Sequence, residues 1–394
     1  VAIQVIDFET YYTQDYSLSK MQMDEYVLDP RFEIILVGIN HRWFSGTHTE
    51  IGNFINAYTN PAEDIFVAHN APFDGFILTQ ILGIRPTRWV DTISLARAAL
   101  PFLEFHSLGK LAEYFKIPAK MGYILNSVKG KHRVDLMYSE LKDLAEYCLR
   151  DVAITRNIYE ELIGKFPPHE LDLIDMTVRM FTEPRIALDA TILKKCYEEE
   201  LRIKQDLLDQ ITVDKAGLMS NPQFATALEN LGVEPPMKIS PRTGKETFAF
   251  AKSDKAFTAL LEHENPDVQA LVAARLGVKS TIAETRARCM FKTAQRGKGL
   301  FPVALNYWGA KITGRYSGTN KVNAQNIPAR GRGVEMRHAM IAPPGKMIVV
   351  GDSANIELRV AMTCAKQNDA VRKLINKEDL YCDFASLVYN RQIT

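Results

Sequence analysis

Val1-Ala2-Ile3-Gln4-Val5-Ile6 reads as a short apolar strand, and Asp7-Phe8-Glu9 follows it at once. In an extended chain residues i and i+2 point to the same face, so the two carboxylates project together. They emerge at the carboxyl end of a strand, which is where α/β sheets place their ligand sites. Two carboxylates this close repel unless a cation sits between them. Alone, the tripeptide equally fits a pair of solvated acids ending a strand, so its reading depends on what the rest of the chain brings to it.

Working outward, Ile34–Ile39 and Ile65–Ala68 are two more apolar strands. Helical patterns occupy Phe76–Leu82, Leu108–Phe115 and Leu141–Leu162. Strands interleaved with helices define an α/β domain with a mixed sheet, and the Asp7 strand is expected at its centre. Pro167-Pro168 then breaks the chain. From His169 onward the pattern is mainly helical. In Thr191–Ile211 the apolar Leu193, Tyr197, Leu201, Leu208 and Ile211 recur at helical spacing. Pro235–Phe250, with its turn signal Pro241-Arg242-Thr243-Gly244, reads as an exposed basic loop between helices. After Gly297, Gly- and Arg-rich loops lead to an expected strand at Met347–Val350.

The chain has 394 residues, 46% hydrophobic and 24% charged, which excludes disordered and collagen-like classes. No apolar run approaches the roughly 18 residues that span a bilayer, and no basic-then-apolar leader opens the sequence. Five scattered cysteines, none in C-x-x-C spacing, read as reduced thiols and not as a zinc site or disulfide framework. The expected location is therefore the cytoplasm, that of the host if the source is a bacteriophage. The net charge of +1 hides an asymmetry. Residues 1–165 hold 16 basic and 21 acidic side chains, whereas residues 275–346 hold 14 basic ones against only Glu284 and Glu335. An acidic front and a basic later segment point to a metal-binding part joined to a polyanion-binding part.

Two further elements join Asp7 and Glu9. Asp74 lies in His69-Asn70-Ala71-Pro72-Phe73-Asp74, between the third strand and a helix. Tyr147 and Asp151 are four apart on a helical segment and share a face. The ordered set Asp7-x-Glu9, Asn70-x-x-x-Asp74 and Tyr147-x-x-x-Asp151 resembles the three exonuclease motifs of the DEDD superfamily, in its DEDDy branch. That branch includes the proofreading domains of family A DNA polymerases. Four carboxylates are hard oxygen ligands that suit two divalent ions, Mg²⁺ or Mn²⁺. By the resemblance, Asp7, Glu9 and Asp151 would hold one ion, and Asp7 with Asp74 nearby would serve the second. Tyr147 would orient or deprotonate the attacking water. Phe8 and Phe73 could pack on bases or fill the core, and Cys148 reads as a packed thiol.

The basic half carries a second resemblance. Thr313-Gly314-Arg315, then Gln325-Asn326-Ile327-Pro328, is similar to the T-G-R…Q-N-I-P signature of family A DNA polymerases. Gly351-Asp352-Ser353-Ala354-Asn355-Ile356-Glu357-Leu358-Arg359 is similar to their palm motif A, with Ser353 and Asn355 departing from the usual residues. The resemblance implies that Arg315, Gln325 and Asn326 contact DNA, that Asp352 binds a metal ion, and that Glu357 excludes a ribose 2′-OH. It places a DNA-gripping helical thumb between, with Lys238, Arg242 and Lys245 as candidate phosphate contacts. The expected architecture is an α/β ribonuclease-H-like exonuclease domain (1–165), a helical thumb-like region (166–295) and a partial α+β palm (296–394). No fingers helix or motif C follows within the 394 residues, and Val1 is not a methionine, so a fragment is expected that hydrolyses DNA 3′ ends without extending them. Its partners would be a single-stranded 3′ end, primer-template duplex and, in the whole enzyme, deoxynucleotides. The competing readings are a stand-alone RNA-processing DEDDy exonuclease and a non-catalytic DNA-binding clamp.

Overall fold

The computed structural model describes residues 1–118, 124–331 and 333–393, and their contacts divide the chain into a unit of residues 1–345 and a second of 346–394. In the first unit, β1 (Ile3–Thr10), β2 (Ile34–Ile39), β3 (Arg42–Phe44), β4 (Ile65–Ala68) and β5 (Arg88–Asp91) form one sheet in the order β3-β2-β1-β4-β5. β1 is central, antiparallel to β2 and parallel to β4, so the sheet is mixed as expected. Its two faces bury different residues, as the period of two requires. Ile6, Phe8 and Phe66 pack with Phe76 and Phe181 on one side. Val5, Val67 and Val90 pack with Leu95, Leu111, Val152 and Ile158 on the other. Helices therefore cover both faces, and Phe8 belongs to the core.

The long helix Tyr138–Ile163 exceeds the expected range by a few residues. The segment read as a helix over Phe76–Leu82 instead starts at Ala71, then widens into a π-helical turn at Ile77–Ile81. Such turns form where a side chain competes for the helix carbonyls. Here the Thr79 hydroxyl donates to Gly75 O and lies 2.8 Å from Thr182 O, and Gln80 Nε2 also reaches Thr182 O. Pro167-Pro168 is not a linker. Pro168 occupies the first turn of helix Pro168–Thr182, where its missing N–H costs nothing, and that helix returns to pack on the sheet.

In the helical region, Leu218, Phe224, Phe250, Phe257 and Leu271 form a separate core around fully buried Arg275. Its guanidinium lies 4.4 Å from the Phe224 ring centre and donates to Leu218 O and Asn221 Oδ1. Arg275→Ala leaves both acceptors unmatched, and for the buried Leu218 carbonyl this costs about 1–3 kcal/mol when nothing relaxes. We expect a loss of about 2 kcal/mol in urea unfolding; an unchanged midpoint would show the cation to be dispensable.

The segment Pro235–Phe250 was expected to be a loop. It contains a hairpin of β7 (Met237–Ile239) and β8 (Glu246–Phe248), turned at Gly244 with φ 65°. The turn signal was correct, but the short flanking strands carry too little alternation to be read. β6 (Ala187–Leu188) pairs with β11 (Met340–Ile341), and β9 (Leu305–Ala310) pairs with β10 (Arg315–Gly318).

The second unit holds helices Ile356–Cys364, Asn368–Ile375 and Leu380–Tyr389. Met347–Val350, expected as a strand, has none of the ladder pairing of one, and Met347 is 81% exposed. Apolar β-branched residues favour a strand, but a strand exists only with a ladder partner, and the described residues supply none here. Among the described residues no helix is long and apolar enough to cross a membrane.

Candidate active site

β1 runs on through Asp7 and Glu9 to Thr10, so the acids lie within the central strand, beyond its expected end at Ile6. Asp7 stands opposite Gly38 of β2 and Glu9 opposite Leu36, with an irregularity just after Glu9. Bulges of this kind re-aim side chains at sheet ends. The long helix lies against β2 at this point. A Cβ on Gly38 would stand 2.7 Å from Cys148 Sγ and 3.3 Å from Val152 Cγ2. Only glycine admits the helix so close, and this brings one ligand atom each of Asp7, Glu9 and Cys148 within 4.8 Å of one another.

Cys148 donates to the Asp7 carbonyl at 3.5 Å. Burial first, then the charges of Asp7 and Glu9, push its thiol well above the usual range, and Asp151 adds to the effect. Cys148 is thus a protonated packing wedge, in agreement with its reading from the sequence. Tyr147 and Asp151 flank it on the same helix and are both buried.

Asp74 enters from the other side of β1. It is 2% exposed, and its Oδ1 accepts from Phe8 N at 3.1 Å, between the two acids of the strand. Burial and then the negative charge of Asp7 raise its carboxyl well above the ordinary value, against the opposing pull of the Phe8 N–H. The direction of that shift is a physical test of the site. Negative charge is in excess there, the donors are hard carboxylate oxygens, and a divalent cation would relieve both.

The strut that fixes Asp74 is Asp91, which sequence reasoning missed. Its Oδ1 accepts from Asn70 N at 3.0 Å and Ala71 N at 3.1 Å, holding the turn at Asn70 in the left-handed region (φ 72°). The same carboxylate caps helix Thr92–Ala99 through Ser94 N at 3.1 Å and Ser94 Oγ at 2.6 Å. The available signal was Trp89-Val90 followed by a capping Asp91. His69 Nδ1 lies 2.9 Å from Thr92 Oγ1, which ties the turn before Asp74 to the helix that Asp91 caps. Gly75, beside Asp74, admits the Pro168–Thr182 helix, because a Cβ there would stand 2.8 Å from Thr182 Cγ2. Phe73 is half-buried beside Tyr26. Tyr26 is pushed up to about 12 by burial, with the charge of Glu9 adding to it.

The later candidates sit elsewhere. Arg315 opens β10, and Gln325 and Asn326 lie on a 3₁₀ turn, all exposed. The glycines around them have packing reasons: a Cβ on Gly318 would stand 2.2 Å from Asn323 Cγ, and one on Gly314 2.9 Å from Trp308. Lys238 bonds both oxygens of Asp254, at 2.8 and 2.7 Å, whereas Arg242 and Lys245 lie exposed at the tip of the β7–β8 hairpin. In the second unit Asp352 is exposed before helix Ile356–Cys364, and Glu357 lies in its first turn.

Comparison with known proteins follows this division. Residues 46–166 match a family model described as 3'-5' exonuclease, which begins after Asp7 and Glu9; the sheet, through β1, brings those two to the site. Residues 190–394, just over half the chain, match the model of DNA polymerase family A. The chain belongs to the family A DNA polymerases. It is similar to "DNA polymerase I" of Chloroflexus aurantiacus, 24% identical over 384 residues, covering 92% of this chain and 39% of that protein. Among solved structures it resembles the POL domain of Pol1 from M. smegmatis in complex with DNA primer-template and dNTP. That likeness has a TM-score of 0.60 and 18% identity, covers 91% of this chain and 61% of the other, and speaks to the fold.

Proposed function

We propose that residues 1–165 act as a 3′→5′ exonuclease on DNA ends, the proofreading part of a family A DNA-directed DNA polymerase. The observation that carries this is the convergence of Asp7, Glu9, Asp74 and Asp151 at the central strand, with Asp74 buried against Phe8 N and its carboxyl raised by that burial and then by the charge of Asp7. These four acids would hold two divalent ions, Mg²⁺ or Mn²⁺, which when bound supply an activated water and charge stabilisation for the leaving oxygen. Tyr147, held one turn from Asp151 on a buried helix face, orients the water against the terminal phosphorus. Attack forms a new P–O bond and breaks the bond to the 3′ oxygen, which takes a proton, and a nucleoside 5′-monophosphate leaves. The test is digestion of 3′-labelled single-stranded DNA and RNA with and without chelator. We expect chelator-sensitive release of deoxynucleoside monophosphates; a preference for RNA ends, or no hydrolysis with either ion while duplex binding persists, overturns the reading.

In the same proposal residues 166–295 grip duplex DNA as a thumb and residues 296–394 begin a palm. Arg315, Gln325 and Asn326 face the primer-template, Asp352 serves a nucleotidyl-transfer metal, and Glu357 selects deoxynucleotides. The setting is the cytoplasm. Of the hairpin cations, Arg242 and Lys245 are exposed, while the charge of Lys238 is balanced by Asp254. Each phosphate contact adds about 0.9 to the slope of log affinity against log salt. Replacing Arg242 and Lys245 together by Ala should lower that slope by about 2, and Lys238→Ala should barely change it. A slope unmoved by the double substitution removes this hairpin from the DNA interface.

A further inference from the structure

Between the α/β domain and the β9–β10 hairpin lies a cavity of about 390 Å³. That is within the range of small-molecule sites, roughly 300–1,000 Å³. Its lining is part apolar, with Met21, Met23 and Leu305, and part polar, with Asn70, Arg97, Thr319 and Lys321. Arg97 lies on helix Thr92–Ala99, only partly exposed, and has one hydrogen bond among the described residues, from Nη1 to Asn306 Oδ1 at 3.1 Å. The carboxylate whose charge acts on it, Asp91, is engaged by the backbone of Asn70, Ala71, Ile93 and Ser94 and by the Ser94 hydroxyl. A guanidinium has five N–H donors in a rigid fork, and a buried one needs acceptors. Burial lowers the Arg97 pKa, with Asp91 opposing, which states the same deficit in other terms.

We propose that this cavity binds a nucleoside 5′-monophosphate, with its phosphate on the free edge of Arg97 and its base against the apolar Met21, Met23 and Leu305. A planar guanidinium matches a phosphate in a paired, bidentate contact. Two cations line the cavity, Arg97 and Lys321, and the exposed Lys321 ammonium is already engaged by the Lys20 carbonyl at 2.5 Å; this suits one phosphate group better than a triphosphate, whose charge calls for several cations. The apolar lining argues for an attached base over a bare inorganic ion. Asn70 and Pro72, on the turn that leads to Asp74, also line the cavity, so a bound nucleotide touches the loop of the carboxylate site without occupying that site. The inference concerns binding and stands apart from the hydrolytic reading.

The experiment is calorimetric titration of the whole chain with dAMP in excess chelator, which silences any metal-dependent binding at the carboxylates. We expect saturable binding that weakens at least tenfold in Arg97→Gln and is retained in Asp7→Asn. Asn306→Asp, which supplies Arg97 with a carboxylate partner while leaving the cation in place, should weaken it similarly and covers the case in which Arg97→Gln does not fold. Absence of dAMP binding, equal binding in Arg97→Gln and Asn306→Asp, or loss in Asp7→Asn overturns the proposal. Inorganic phosphate or dATP binding as tightly as dAMP overturns the choice of ligand.

Discussion

Asp7→Asn should reduce release of nucleotides from a DNA 3′ end by about three orders of magnitude or more, while leaving the fold intact. Asp7 lies within 4.8 Å of Glu9 and is the charge that most strongly adds to burial in raising Asp74. A cation held there contributes several kcal/mol to the transition state. At 1.36 kcal/mol per decade that becomes three or more decades of rate. The same substitution carries a second signature that a merely structural residue lacks. Removing the Asp7 charge relieves the repulsion on buried Asp74, so the variant should unfold in chelator no lower than the parent. Adding Mg²⁺ should then raise the melting temperature of the parent, by ligand linkage, and raise that of the variant much less. Measurement of initial rates and of melting curves with and without Mg²⁺ checks both. Activity within tenfold of the parent, or an equal Mg²⁺-induced shift, would remove Asp7 from the site.

What could be read from the sequence follows the range of the interactions involved. Ile34–Ile39 and Ile65–Ala68 are strands with the expected limits because both are buried on two faces and read as continuous apolar runs. The Asp7–Glu9 pair was legible because a strand's period of two is local. β5 was missed because Arg88 and Asp91 leave only Trp89 and Val90 as apolar signal, and it is Trp89 packing on Phe66 that completes it. Met347–Val350 failed in the opposite sense: its apolar run is strong, but strand formation depends on a partner that no local pattern reports. Within the candidate site, the four acids are proposed from order and spacing. Asp91 and Gly38 are not, since their work is to hold and admit elements distant in sequence, and neither belongs to a chemistry-bearing motif.

Gly38 yields the sharpest test of that last point. Gly38→Ala places a methyl group 2.7 Å from Cys148 Sγ and 3.3 Å from Val152 Cγ2. Neither neighbour has room to yield, because both are fully buried on the long helix. The strand itself accepts the change, since Gly is the poorer strand residue. The helix must therefore lift, and overpacking of this kind costs about 1–3 kcal/mol. Tyr147 and Asp151 ride on that helix, and a displacement of about 1 Å in a catalytic group costs on the order of a hundredfold in rate. We expect Gly38→Ala to lose about ten- to a hundredfold in 3′-end hydrolysis with its circular dichroism preserved, although no proposed ligand has been touched. Cys148→Ala alone should stay near parental activity, because the thiol is protonated and serves as packing. Combined with Gly38→Ala it should restore most of the lost rate, as the space vacated by Sγ receives the new methyl group. If the double variant is no better than Gly38→Ala, the thiol contact is not what sets the helix position. If Cys148→Ala alone abolishes hydrolysis, Cys148 belongs among the ligands and not behind them.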